Sequence, residues 1–145
     1  RRQFDAIFPA HWQVAQLEQR YLAIMVIDID HFKAYNDYYG HLQGDLCLRQ
    51  VAAALQSNSR SDDLVVRYGG EEFVILMPRT EPHTARQAAE RIRESIEALA
   101  IAHAGCGPDA NVTVSIGVAA MQPTVGQEET VLFMAADQAL YDAKR

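Results

Sequence analysis

Tyr21-Leu22-Ala23-Ile24-Met25-Val26-Ile27-Asp28-Ile29-Asp30 is the stretch on which the fold turns. From Tyr21 to Ile29 it is almost unbroken Ile, Met, Val and Leu, the composition of a strand covered on both faces. That predicts a central strand. The apolar run is far shorter than the roughly 20 residues a membrane-crossing helix needs. At its end, Asp28 and Asp30 stand two positions apart, so both carboxylates project from one face if extension persists through Asp30. For an isolated Asp-x-Asp, two solvated acids closing a strand are the commoner explanation.

Working outward, Phe4, Ile7, Phe8, Trp12 and Ala15 follow helical spacing from Phe4 to Arg20, with Pro9 expected to kink the helix or mark a fresh first turn. After the strand, Phe32 to Tyr39 reads as a short helix closed by Gly40, and Leu42 to Gln56 as a second helix. Leu64 to Tyr68 and Phe73 to Met77 are short strands joined by Gly69-Gly70-Glu71-Glu72, a hairpin whose glycines are expected to supply positive φ. Glu81 to Ala100 is helical, Val112 to Ala119 alternates as a strand, and Thr130 to Lys144 is helical. The order α-β-α-α-β-β-α-β-α predicts an α+β fold, a split β-α-β arrangement of ferredoxin-like type with one extra helix. An antiparallel sheet with helices on one side is expected. The end of the first strand and the hairpin then lie side by side.

The chain has 145 residues, 49% hydrophobic and 22% charged, which suits a single ordered domain, residues 1–145. A formal charge of -6 argues against gripping DNA through broad phosphate neutralisation, while a small basic pocket could still hold one nucleotide. Cys47 and Cys106 lack zinc-site spacing and suit a reducing, cytoplasmic setting. No signal-peptide pattern opens the sequence. The abrupt start on Arg1-Arg2 and the end on Lys144-Arg145 within a helical pattern suggest a piece of a longer multidomain protein, any membrane segment lying elsewhere.

A second acidic pair, Glu71-Glu72, changes the weight of Asp28 and Asp30, because the turn that carries it can meet the first strand's end. Carboxylates grouped this way are hard oxygen ligands suited to Mg²⁺ or Mn²⁺. Such a site predicts phosphoryl or nucleotidyl transfer, with two ions able to clamp the attacking and departing oxygens. Gly69 and Gly70 would let main chain approach a polyphosphate, although a Gly-Gly turn alone is weak evidence. No GxxxxGK[ST] loop, GxSxG elbow or HExxH pair occurs, and His31 and His41 read as polar loop or helix-end residues.

Taken together, Asp28-Ile29-Asp30-His31-Phe32-Lys33, Asn36-Asp37, Gly40-His41, Gly44-Asp45 and Arg67-Tyr68-Gly69-Gly70-Glu71-Glu72-Phe73 resemble the GGDEF family of diguanylate cyclases. The likeness continues through Val112 to Val118 and Ala135 to Lys144, essentially the whole chain. It implies a palm-type, nucleotide-cyclase-like fold. It also implies an enzyme that joins two GTP into cyclic di-GMP and releases two pyrophosphates across a homodimer, each protomer presenting one GTP. By resemblance, Asp28, the carbonyl of Ile29 and Glu71 ligate Mg²⁺ or Mn²⁺, two ions per half-site. Glu72 supports them, and Glu71 helps deprotonate the attacking 3′-hydroxyl. Asn36 and Asp45 match the guanine-reading pair, Phe32 and Lys33 the phosphate-proximal segment, and Lys144 a triphosphate lysine. Arg60 and Asp63 match the inhibitory product site, with Arg91 a secondary contact from the partner protomer and Arg67 a link between the two sites.

Without the family, Asn36 or Asp45 would be a helix cap or an exposed polar residue, Phe32 a core residue, Lys33 a surface charge and Arg60-x-x-Asp63 a surface ion pair. Glu71 stands where the family's name has aspartate. The entrance motif is represented only by its end, Arg1-Arg2-Gln3-Phe4, and the glycine and arginine that usually follow Lys144 are absent. Two alternatives accompany the cyclase: a weak or inactive receptor that binds GTP or cyclic di-GMP and signals through an upstream sensory domain, and another nucleotidyl transferase sharing the two-metal logic.

Overall fold

In the computed structural model, which describes residues 1–145, the apolar run forms strand β1 (Leu22–Ile29), paired along both edges. One neighbour is β3 (Glu72–Pro78) and the other β4 (Val114–Met121); β3 pairs in turn with the short β2 (Leu64–Arg67). All three pairings are antiparallel and the sheet order is β2-β3-β1-β4. β1 and β2 therefore run parallel with β3 between them, which is the predicted split β-α-β arrangement. The ladders satisfy the backbone on both edges, so the interior residues of β1 need no polar side chain, and Ala23 to Ile27 are fully buried.

Five helices complete the fold: α1 (Arg2–Glu18), α2 (Phe32–Tyr39), α3 (His41–Ser57), α4 (Pro82–Ala98) and α5 (Thr130–Ala143). They lie on both faces of the sheet, not on one side as the element order suggested. Ala23, Met25, Ile27 and Ile29 of β1 join a core with Tyr35, Leu48, Val51, Ile92 and Ile96 of α2, α3 and α4. The alternate residues Leu22, Ile24 and Val26 join Phe8 and Trp12 of α1 and Leu132 and Ala136 of α5. A strand apolar at every position has two faces to bury, and a second helical layer is the physical answer.

Helix α1 runs through Pro9 without interruption, and Trp12 Nε1 donates to the Gln127 carbonyl at 2.9 Å, pinning α1 to the segment that leads into α5. Helix α5 lies close on β4: a Cβ on Gly117 would stand 2.1 Å from the Ala136 carbonyl oxygen. β4 begins two residues later than the alternation predicted. Val112 instead donates to the Ile101 carbonyl, and Ala102 bridges Asn111, so this stretch pairs with its own preceding loop. That loop contains a 3₁₀ turn, Ala104–Cys106. Cys47 is buried in α3 and Cys106 is exposed, both as free thiols. No helix is long and apolar enough to cross a membrane.

Candidate active site at the tip of the sheet

The even-numbered residues of β1 face α5, and Asp28 continues that face beyond Val26. Asp30 N–H donates to the Thr113 carbonyl at 2.9 Å, extending the pairing one residue past the strand. Asp28 and Asp30 therefore share a side, as predicted. Lys144, the first residue after α5, places Nζ 3.6 Å from Asp28 Oδ2 and 3.1 Å from Asp30 Oδ1.

The two aspartates have opposite surroundings. Asp30 accepts from Thr113 Oγ1 and Ser115 Oγ, both at 2.7 Å, and from Lys144. Burial pushes its carboxyl up, but those three bonds together outweigh it and hold it below the ordinary carboxylate range. Asp28 Oδ1 is buried with no hydrogen-bond partner. Burial raises its carboxyl above the ordinary value, Lys144 offsets part of this, and Asp30 raises it further.

Across the ladder, Asp28 stands directly opposite Glu72, and Ile29 N–H donates to the Glu71 carbonyl at 3.2 Å. Like charges in this register repel. Glu71 is raised by burial and then by Asp28, with Lys144 pulling the other way. Glu72 is raised by burial, then by Asp28, Asp137 and Glu71, with Arg1 lowering it. The tip is thus an acidic pole partly covered by one ammonium. No three His, Cys, Asp or Glu side chains close on a common point as a self-sufficient metal cage. The donors suit a hard cation that takes two carboxylates and a main-chain carbonyl from the protein and leaves positions for substrate oxygens. The open Oδ1 of Asp28 is the atom such an ion would satisfy.

The hairpin turn is closed by Tyr68 and Gly69 N–H groups donating to the Glu72 carbonyl at 2.8 and 3.2 Å. Neither Gly69 nor Gly70 adopts positive φ, contrary to the expectation from sequence. Arg67 holds the turn instead, Nε donating to the Gly69 carbonyl at 3.2 Å and a terminal nitrogen to the Gly70 carbonyl at 2.8 Å. What the glycines leave is bare main chain: a Cβ on Gly70 would meet nothing within 4 Å.

Helix α2 starts beside this pole. Phe32 is buried and stacks on Tyr35, while Lys33 in the first turn is exposed. Asn36 Oδ1 is buried without a partner, and a Cβ on Gly44 of α3 would lie 1.9 Å from it, so a side chain there would push the Asn36 amide from its place. Asp45, the next residue, is exposed and borders a groove of about 380 Å³ shared with Arg49, Arg67 and Phe73. On the same face of the sheet, between β3, α4 and the end of α3, Arg60, Asp63 and Arg91 line one cavity of about 180 Å³. Arg60 N–H donates to Asp63 Oδ2 at 2.8 Å, and its guanidinium reaches the Pro78 carbonyl and the buried Thr80 hydroxyl. Arg91 donates to the Asn58 carbonyl at 3.3 Å. Arg67, grouped with these residues on the sequence, does not line their cavity.

Thr113, Ser115 and Thr80 were given no role from the sequence, and Gly44 entered only as part of a motif. The signal for the first two was two hydroxyls alternating with Val112 and Val114 in a strand, on the face that Asp30 shares.

The profile of the family described as "Diguanylate cyclase, GGDEF domain" matches residues 1–145. Diguanylate cyclase A of Treponema denticola is 42% identical over 124 residues, covering 86% of this chain and 33% of the relative. Diguanylate cyclase DgcM of Escherichia coli K12 is 44% identical over 145 residues, covering 99% of this chain and again 33% of the relative. The chain thus spans about a third of the length of these relatives. Among solved structures, the active GGEEF domain of a diguanylate cyclase from Vibrio cholerae superposes with a TM-score of 0.90 at 32% identity, covering 100% of this chain and 90% of that one. The GGDEF domain of DgcB from Caulobacter crescentus, solved in complex with c-di-GMP, gives 0.90 at 32% identity, covering 100% and 84%. With the profile matched from Arg1 to Arg145 and the fold superposing at this level, the chain belongs to the GGDEF family of diguanylate cyclase domains.

Proposed function

We propose that this chain is a diguanylate cyclase domain that condenses two GTP into cyclic di-GMP and releases two pyrophosphates. The observation that carries this is Asp28, whose buried Oδ1 has no partner while Glu72 faces it across the ladder. A buried carboxylate oxygen left open, beside further negative charge, is costly unless a cation completes it. Cyclases of this family are generally metal-dependent. Asp28, the Ile29 carbonyl and Glu71 are the residues that would hold Mg²⁺ or Mn²⁺, two ions in each half-site, with Glu72 supporting them. Bound there, a divalent cation supplies positive charge to the α-phosphate and acidifies the attacking hydroxyl.

The chain's own residues do the rest. Phe32 and Lys33 offer main-chain N–H groups at the start of α2, and the ammonium groups of Lys33 and Lys144 hold triphosphate oxygens. Lys144 leaves Asp28 and Asp30 to do so. Gly69 and Gly70 present main chain to the phosphates without a side chain in the way. Asp45 accepts from guanine N1–H and N2–H and Asn36 addresses the remaining edge, a pattern adenine does not match. Each half-reaction forms a bond from the 3′-oxygen of one GTP to the α-phosphorus of the other and breaks that phosphorus's bond to the bridging oxygen. Pyrophosphate leaves, and the hydroxyl proton passes to Glu71. Because each protomer carries one GTP, turnover requires a homodimer.

Arg60, Asp63 and Arg91 form the feedback site for cyclic di-GMP, where arginine forks onto phosphate or guanine and the aspartate accepts from guanine. Arg67 links that site to the turn through β2. The domain works in the cytoplasm, and an upstream sensory or regulatory domain governs it in the longer protein. Incubating a concentrated or forced-dimer sample with GTP and Mg²⁺ or Mn²⁺ tests the assignment by chromatography of the products. Cyclic di-GMP is expected, and Glu71→Ala should lower its formation at least about 100-fold. GTP or cyclic di-GMP binding without any turnover would replace the cyclase with a receptor.

A further inference from the structure

His103 lies outside every residue assigned above, yet it is 2% exposed and touches the helix that begins the phosphate-binding segment. Its Nε2 is 3.0 Å from the carbonyl oxygen of His31, 72 residues earlier in the chain. A carbonyl only accepts, so Nε2 carries a proton, and Nδ1 is buried without a partner. The Cys106 sulfur sits 3.5 Å from the same Nε2. The ring meets Tyr35 edge-on at 5.2 Å, and Tyr35 stacks on Phe32.

His31 is the residue before α2, held in the left-handed region at φ 53 with no side-chain capping bond. Such a conformation is unfavourable for a residue with a Cβ and persists only where neighbours enforce it. Its carbonyl also accepts Tyr35 N–H at 3.1 Å, so the imidazole and the first helical turn share one acceptor. The rest of the loop grips α2 farther along. Ala104 N–H donates to the Tyr39 hydroxyl at 2.9 Å, and a Cβ on Gly105 would stand 3.1 Å from the Ala34 carbonyl. His103 is therefore the grip at the helix start, where the backbone direction of His31 sets where the N–H groups of Phe32 and Lys33 point.

We infer that His103 is a positioning residue for the triphosphate: by donating to the His31 carbonyl it fixes the left-handed turn that aims the first N–H groups of α2 at the phosphates. This rests on the cyclase assignment for what the N–H groups bind, and on the fold alone for the grip itself. A histidine serving only as core filler would have no preference for what donates to His31.

Two polar replacements separate these roles. In His103→Gln the amide nitrogen can reach the position of imidazole Nε2, whereas in His103→Asn it reaches only that of Nδ1 and leaves the His31 carbonyl unanswered. The expected result is that His103→Gln keeps KM for GTP near the wild-type value. His103→Asn should raise KM about tenfold with kcat changed less than about twofold, the size of one lost hydrogen bond. Amide exchange at Tyr35 should quicken in the Asn variant and not in the Gln variant. Equal behaviour of the two variants, or a loss confined to kcat, overturns the inference. If the wild-type protein binds no GTP, the cyclase assignment falls, and Tyr35 exchange alone decides the positioning role: a difference between the variants upholds it and none overturns it.

Discussion

Asp28 and Asp30 are the same residue type two positions apart, and the fold gives them opposite tasks. Asp30 is saturated by Thr113, Ser115 and Lys144, so its carboxylate contributes stability above the ordinary value of 3.8, and that contribution is lost as pH falls through its lowered value. Asp28 is shifted upward, so whatever it contributes is complete below 3.8 and declines as pH rises through the raised value, leaving its charge a net cost at neutral pH. Thermal unfolding of the metal-free protein at pH 7 should separate them. Asp28→Asn is expected to raise Tm by a few degrees, and Asp30→Asn to cost about 1–3 kcal/mol through lost bonds. The acidic spacing was legible in the sequence, as was the pairing of Asp28 with the Glu71-Glu72 turn through a shared sheet. Which aspartate is left open was not, because the hydroxyls that decide it lie 83 and 85 residues away from Asp30.

Among the elements, two glycines show how position alone changes the meaning of a residue type. Gly70 faces open space and has no left-handed φ, so Gly70→Ala should change folding stability by less than about 0.5 kcal/mol while raising KM for GTP. Gly117 lies under α5, where a methyl group would press on main-chain atoms of Ala136 and Leu140. Gly117→Ala should cost about 1–3 kcal/mol in urea unfolding, since the helix must lift. Helix and strand order was readable from periodicity, including Phe32 to Tyr39 to the residue. The hairpin's conformation was not: a Gly-Gly pair suggested a left-handed turn, but Arg67, two and three residues earlier, satisfies the turn's carbonyls without one.

At the scale of the whole molecule, the number of layers was decided by β1, whose two apolar faces each demand cover. The split β-α-β order was correctly foreseen, and the one-sided helical packing was not, because element order says nothing of which face a helix chooses. The same arrangement, two helical layers around one sheet, leaves the acidic tip beyond both cores, where its repulsion is borne by the folded state. A divalent cation should therefore raise Tm of the wild-type protein with increasing concentration, be reversed by chelator, and do neither in Asp28→Asn. A scan with Mn²⁺ in the absence of nucleotide checks this without reference to turnover.

Strand β2 spans only Leu64–Arg67, with Asp63 before it and the glycine turn after it. Four extended residues make a strut about 13 Å long, and its pairing with β3 leaves it no slack to stretch. A ligand that drags the Arg60 loop toward α4 would thus move the turn as one end of a rod moves with the other. Under the feedback role proposed for Arg60 and Asp63, inhibition would need no change in the shape of the tip, only a displacement of it away from the second GTP of the proposed reaction.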